Sequence, residues 1–145
     1  MPRSLLALVA VATTVGLAGC GWLGASGAPH TKPDVFLLRG HVTVPVAAGD
    51  PRPVGAACAS TVPDIVAGAP VEVTDPTRRL LGTGSLGDGV IAHPATGVSC
   101  DFPFQVPRVP GGVASYDISV SHRPPQRFDA KPLRENAEAI IAITA

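Results

Sequence analysis

The chain is poor in aromatic side chains, with one Trp, one Tyr and four Phe in 145 residues. Sugar-binding platforms need exposed aromatic faces. Phe36, Phe102, Phe104 and Tyr116 fall in phase with buried positions, which leaves only Trp22 and Phe128, so a carbohydrate-binding role is disfavoured. Basic runs are also absent, and the eleven basic residues are balanced by eleven acidic ones. Without a basic stripe there is nothing to neutralise a phosphate backbone, and nucleic acid is not an expected partner. No GxSxG, HExxH, HxH or CxxC occurs. The local signatures of a nucleophile-elbow hydrolase and of a zinc site are therefore missing.

Apolar length is limited too. Leu5 to Leu17 is apolar apart from Thr13, Thr14 and Gly16, and follows Arg3. That stretch is shorter than the roughly 20 residues a spanning helix requires, and has the form of an export signal. Leu17-Ala18-Gly19-Cys20 follows at once. This tetrapeptide resembles the lipobox of bacterial lipoproteins: Leu, a small residue, Gly or Ala, then Cys. Small residues let an extended backbone enter a peptidase cleft, and a cysteine thiolate is the nucleophile that accepts lipid. The resemblance implies a diacylglyceryl (palmitate-type) anchor on Cys20 and cleavage between Gly19 and Cys20. It implies a chain held on the extracytoplasmic face of a cell membrane.

Assigning Cys20 to lipid leaves an even number of cysteines. Cys58 and Cys100 are expected to form a disulfide in an oxidising compartment. Gly21 to Lys32 (GWLGASGAPHTK) lacks periodicity and reads as a tether, with Trp22 suited to a membrane interface. The expected organisation is a signal over 1–19, a lipidated tether over 20–33, and a single domain over 34–145.

Within the domain, Pro and Gly, sixteen of each in the whole chain, cut the sequence into short segments that alternate with period two. Val35–Val44 places Phe36, Leu38, Val42 and Val44 on one face. Val71–Thr74, the Asp75-Pro76-Thr77-Arg78 turn and Arg79–Leu86 read as a hairpin, and Asp88-Gly89 as a second hairpin turn into Val90–Ala92. Val98–Val106 aligns Val98, Cys100, Phe102, Phe104 and Val106, with Pro103 marking an edge or a bulge. Pro107–Gly112 reads as a loop. Val113–Ser121 aligns Ala114, Tyr116, Ile118 and Val120. His122–Phe128 reads as a loop, Leu133–Ala139 as a short helix, and Ala139–Thr144 as a last strand.

The expected fold is all-β: a small antiparallel sandwich of about seven strands, stapled by one disulfide. The pattern resembles small actinobacterial exported lipoproteins and, more distantly, prealbumin-like and immunoglobulin-like sandwiches. That resemblance carries no activity and no cofactor.

Two motifs and two alternatives remain. Gly82-Thr83-Gly84-Ser85-Leu86-Gly87 matches GxGxxG but precedes a turn and a strand, not the helix of a dinucleotide site. The histidines His41, His93 and His122 are far apart in sequence, and three of them meeting in space define the alternative of a metal-binding or enzymatic envelope protein. An accessory or inhibitor subunit of an envelope enzyme or transporter is the other alternative, using the Pro- and Arg-rich segments 107–112 and 122–128. The principal expectation is a non-catalytic binding or structural module whose envelope partner or ligand is not encoded in any motif.

Overall fold

The computed structural model describes residues 34–47, 49–95 and 97–144. The segments read as signal, lipobox and tether, including Gly19, Cys20 and Trp22, lie outside the described residues. Eight strands and one short helix follow in the order β1 (Val35–Pro45), β2 (Pro70–Thr74), β3 (Leu80–Ser85), β4 (Val90–Ala92), β5 (Ser99–Pro110), β6 (Ser115–Val120), β7 (Gln126–Asp129), α1 (Ala130–Arg134) and β8 (Ala139–Ala142). They form two four-stranded sheets, with orders β4-β5-β1-β8 and β3-β2-β6-β7. The fold is a small all-β sandwich. All pairings are antiparallel except β1 with β8, which run parallel.

The alternating sequence decides which faces meet. Leu38, Val42 and Val44 of β1, and Cys100, Phe102, Phe104 and Val106 of β5, turn inward from the first sheet. Val71 and Val73 of β2, with Tyr116, Ile118 and Val120 of β6, close over them from the second. Each such side chain contributes about 1.5–3 kcal/mol when fully buried. Tyr116 is fully buried, and its hydroxyl donates to the Pro110 carbonyl at 2.9 Å. That bond ties the start of β6 to the end of β5 across the sandwich, as in a tyrosine corner. Phe36 packs against the Tyr116 ring, centroids 5.6 Å apart.

Several elements depart from the sequence reading. Pro107–Pro110 is strand rather than loop. Between Val106 and Val109 the register against β1 gains one residue, because Leu37 alone faces both Pro107 and Arg108. This bulge, with Arg108 at φ 57°, returns Val109 to the core and lets β5 run past a proline. Pro103 does not mark an edge strand, since β5 lies inside its sheet. It sits beyond Asp101, where the pairing with the three-residue β4 has ended. Val98 precedes β5 and is half-buried, and Ala114 is exposed in the bend before β6.

Asp88-Gly89 is not a hairpin turn. There the chain leaves the second sheet at β3 and enters the first at β4. The end of the expected His122–Phe128 loop is strand instead, and Gln126–Asp129 pair with β6 as β7. The helix begins at Ala130, earlier than Leu133, because Pro132 falls in the first turn, where its missing N–H has no partner to lose. It stops at Asn136 (φ 69°), and the Ala137 N–H bonds back to the Pro132 carbonyl at 2.9 Å, the cap of a Schellman motif.

Cys58 and Cys100 are joined by a disulfide. It fixes the long irregular segment 49–69 to β5, while Ala57 bridges Val90 on the outer edge of β4. A side chain at Gly89 would bring its Cβ within 2.8 Å of the Cys100 sulfur and of Phe102, so only glycine fits beside the staple.

Candidate functional site

A hydrogen-bonded group of polar side chains borders a cavity on the outer face of the first sheet. The alternation that sends Val42, Val44, Cys100 and Phe102 inward sends His41 and Thr43 of β1, and Ser99 and Asp101 of β5, outward. Cross-strand register sets Thr43 opposite Asp101, and the parallel pairing sets Ile140 of β8 beside His41. The Asp101 Oδ1 accepts from the Thr43 hydroxyl at 2.7 Å and from the Ser99 hydroxyl at 2.8 Å. Its Oδ2 stands 3.7 Å from His41 Nε2, and His41 Nδ1 is 3.1 Å from Glu138 Oε2. His41 thus sits between two carboxylates.

His41, Thr43, Ser99 and Asp101 floor a cavity of about 360 Å³ whose walls include Pro45, Pro94, Val98, Ile140 and Ile143. The chemistry available there is hydrogen bonding beside apolar surface. Both hydroxyls donate to Asp101 and neither meets His41, so this is not a Ser-His-Asp relay, in which the base must face the nucleophile.

The three histidines singled out from the sequence are not brought together. His41 is in β1, His93 follows β4 near the Asp50 carboxylate, and His122 lies in the turn after β6 of the other sheet. Among the described residues no group of three His, Cys, Asp or Glu is disposed to hold a metal ion. Sequence reasoning missed the roles of Ser99, Asp101 and Glu138. The alternation around Asp101 was legible, but the parallel β1–β8 pairing that delivers Glu138 was not.

Of the segments proposed as a contact surface, 122–128 has both of its arginines engaged, while Arg108 in the other is exposed. Arg123 grips Asp64 through two bonds of 2.7 Å, and Arg127 grips Asp117 at 2.7 and 2.8 Å. Arg123 beside Asp64 and Arg127 beside Asp117 each hold the carboxyl below its usual range. Asp75 is also held low, first by the Thr77 hydroxyl and then by the Arg79 N–H, which organise the β2–β3 turn. Asp50 is drawn down to about 2 by the Arg52 guanidinium and backbone N–H. Burial pushes the Tyr116 hydroxyl up.

The GxGxxG stretch has a packing role. A Cβ at Gly84 would come within 2.5 Å of the Gln105 carbonyl, and one at Gly82 within 2.8 Å of Val106. The glycines let β3 press on β5, and Leu86 bridges Phe104 there. No helix follows to receive a pyrophosphate.

Fold and surface together define a disulfide-stapled all-β sandwich with a groove over His41, Thr43, Ser99 and Asp101 on the outer face of the first sheet. The chain matches no family model, no curated protein and no solved structure.

Proposed function

We propose that the protein is a cell-envelope lipoprotein, anchored through lipid on Cys20, whose sandwich serves as a non-catalytic binding or structural module. The observation that carries this reading is Leu17-Ala18-Gly19-Cys20, set directly behind an apolar export-type segment. The disulfide supports it, since such bonds persist in oxidising, extracytoplasmic compartments. The position of the domain supports it further: β1 begins at Val35, leaving residues 21–33 as a spacer after the modified cysteine. No helix among the described residues is long and apolar enough to cross a membrane. The working surface under this reading is the groove over His41, Thr43, Ser99 and Asp101.

Mass spectrometry of the N-terminal peptide from membrane fractions tests the anchor. The expected peptide starts at Cys20 and carries a diacylglyceryl mass, and Cys20→Ala moves the protein out of the detergent phase. An unmodified Cys20 in protein cleaved elsewhere would defeat the proposal.

A further inference from the structure

Four strands lie at sheet edges among the described residues, β4 and β8 in the first sheet and β3 and β7 in the second. Exposed edges offer unpaired N–H and C=O groups to other chains, and folded proteins usually blunt them. Three of these are blunted. The segment 55–58 covers β4, with Gly55 and Cys58 N–H donating to Ile91 and Gly89 carbonyls and Ile91 N–H to Ala56. β3 is turned onto β5, and the Gly87 N–H bonds the Pro103 carbonyl. β7 is short and charged, Gln126–Asp129, with Arg127 and Asp129 exposed.

β8 is as short as β7, but among the described residues it carries no charge and no segment hydrogen-bonds over its outer edge. Residues 139–144 read Ala, Ile, Ile, Ala, Ile, Thr, without a charge or a proline. The Ile143 N–H bonds the Thr43 carbonyl on β1, so by the alternation of a parallel ladder the backbone groups of Ile140 and Ala142 point away from the sheet. Ile140 is 55% exposed, and Ala142 and Thr144 are exposed beside it. Glu138, just before the strand, is drawn back onto His41.

We propose that β8 pairs antiparallel with β8 of a second copy about a two-fold axis at Ala142, merging two first sheets into one. The argument for a second copy is self-complementarity. A two-fold contact sets the same patch against itself, and this edge is neutral throughout, so no like charges are opposed. Centring on Ala142 places Ile140 opposite Thr144 of the other copy and sends the two Glu138 carboxylates to opposite ends. Outward-pointing backbone groups then face outward-pointing groups, as an antiparallel ladder requires. Only residues 139–144 take part on each side, against about 20–30 in a standard stable interface, so the dimer is weak and concentration-dependent. The proposal does not depend on the lipid on Cys20.

The test uses the full chain with Ala142→Cys under mild oxidation, compared with Thr83→Cys on the β3 edge and with the parent, whose Cys20 sets the background. Covalent dimer from Ala142→Cys at least tenfold above both is expected. Sedimentation at rising concentration is expected to show dimer in the parent and a loss of at least tenfold in Ala142→Lys, a change at an exposed site that leaves the circular dichroism spectrum intact. Equal cross-linking at positions 142 and 83, parent protein that stays monomeric at every soluble concentration, or cross-linking of position 142 mainly to a different protein would each overturn it.

Discussion

The two sheets solve the same burial problem with similar strands, yet present different exteriors. The second sheet and its turns are closed by ion pairs: Asp117 holds Arg127, Asp75 holds Arg79, and Arg123 after β6 reaches across to Asp64. Its β3 edge is packed onto β5 and its β7 edge is charged. The first sheet carries the His41–Asp101–Glu138 network, an apolar-walled groove and the uncovered β8 edge. An Arg–carboxylate fork satisfies both partners and leaves little for a ligand. The surface with spare capacity is therefore the first sheet's.

The largest perturbation is to the staple that secures the first sheet. Cys58→Ser with Cys100→Ser releases a loop spanning 42 residues. In the loop-entropy model this costs about 4 kcal/mol, read as a lower denaturant midpoint. Hydrogen exchange is expected to accelerate first in segment 49–69 and β4, with β2 and β6 following. Uniform acceleration would mean that the sheets are not separable in this way.

Acid strikes mainly the other side of the comparison. Asp64, Asp75 and Asp117 have pKa values lowered in the folded state, and so does Asp50 in the segment stapled to the first sheet, to about 2 from 3.8. A depressed carboxyl contributes stability above its unfolded pKa and loses it as pH falls through the folded value. Thermal midpoints are thus expected to hold near neutrality and fall between about pH 4 and pH 2. Arg127→Gln together with Arg123→Gln is expected to flatten that fall. An unchanged acid limb in the double variant would remove these pairs from the account.

Tyr116→Phe deletes the hydroxyl that reaches the Pro110 carbonyl and joins the sheets. A loss of about 1–2 kcal/mol is expected by chemical denaturation, since a partly buried carbonyl loses its donor. The smallest effect belongs to the groove. His41→Ala is expected to cost no more than about 1 kcal/mol, because its contacts are partly exposed, while altering whatever the groove binds. A cost comparable to the disulfide's would recast the network as a structural keystone.

Much of the fold was legible in the residues. Period-two alternation placed Leu38, Val42, Val44, Phe102, Phe104, Tyr116, Ile118 and Val120 inside correctly, and counting cysteines paired Cys58 with Cys100. Proline misled at β5, which reads as ending at Val106 where a bulge carries the strand on to Pro110; the helix, expected from Leu133, begins at Ala130 with Pro132 in its first turn. The candidate site was less legible. Ser99, Thr43 and Asp101 are close in the register, but the partner of His41 is 97 positions away at Glu138.

The sequence by itself determined the strand faces, the staple and the lipobox resemblance, because each depends on local spacing or on a count. Only the tertiary structure decided that β3 and β4 belong to different sheets, that β8 runs parallel to β1, and that His41, His93 and His122 stay apart. Those outcomes depend on pairing between distant segments, where the free energy comes from the whole interface and no short stretch encodes it. The Gly82–Gly87 motif shows the same division. Its glycines were visible at once, but their reason, the close approach of β3 to β5, exists only once the sandwich has closed.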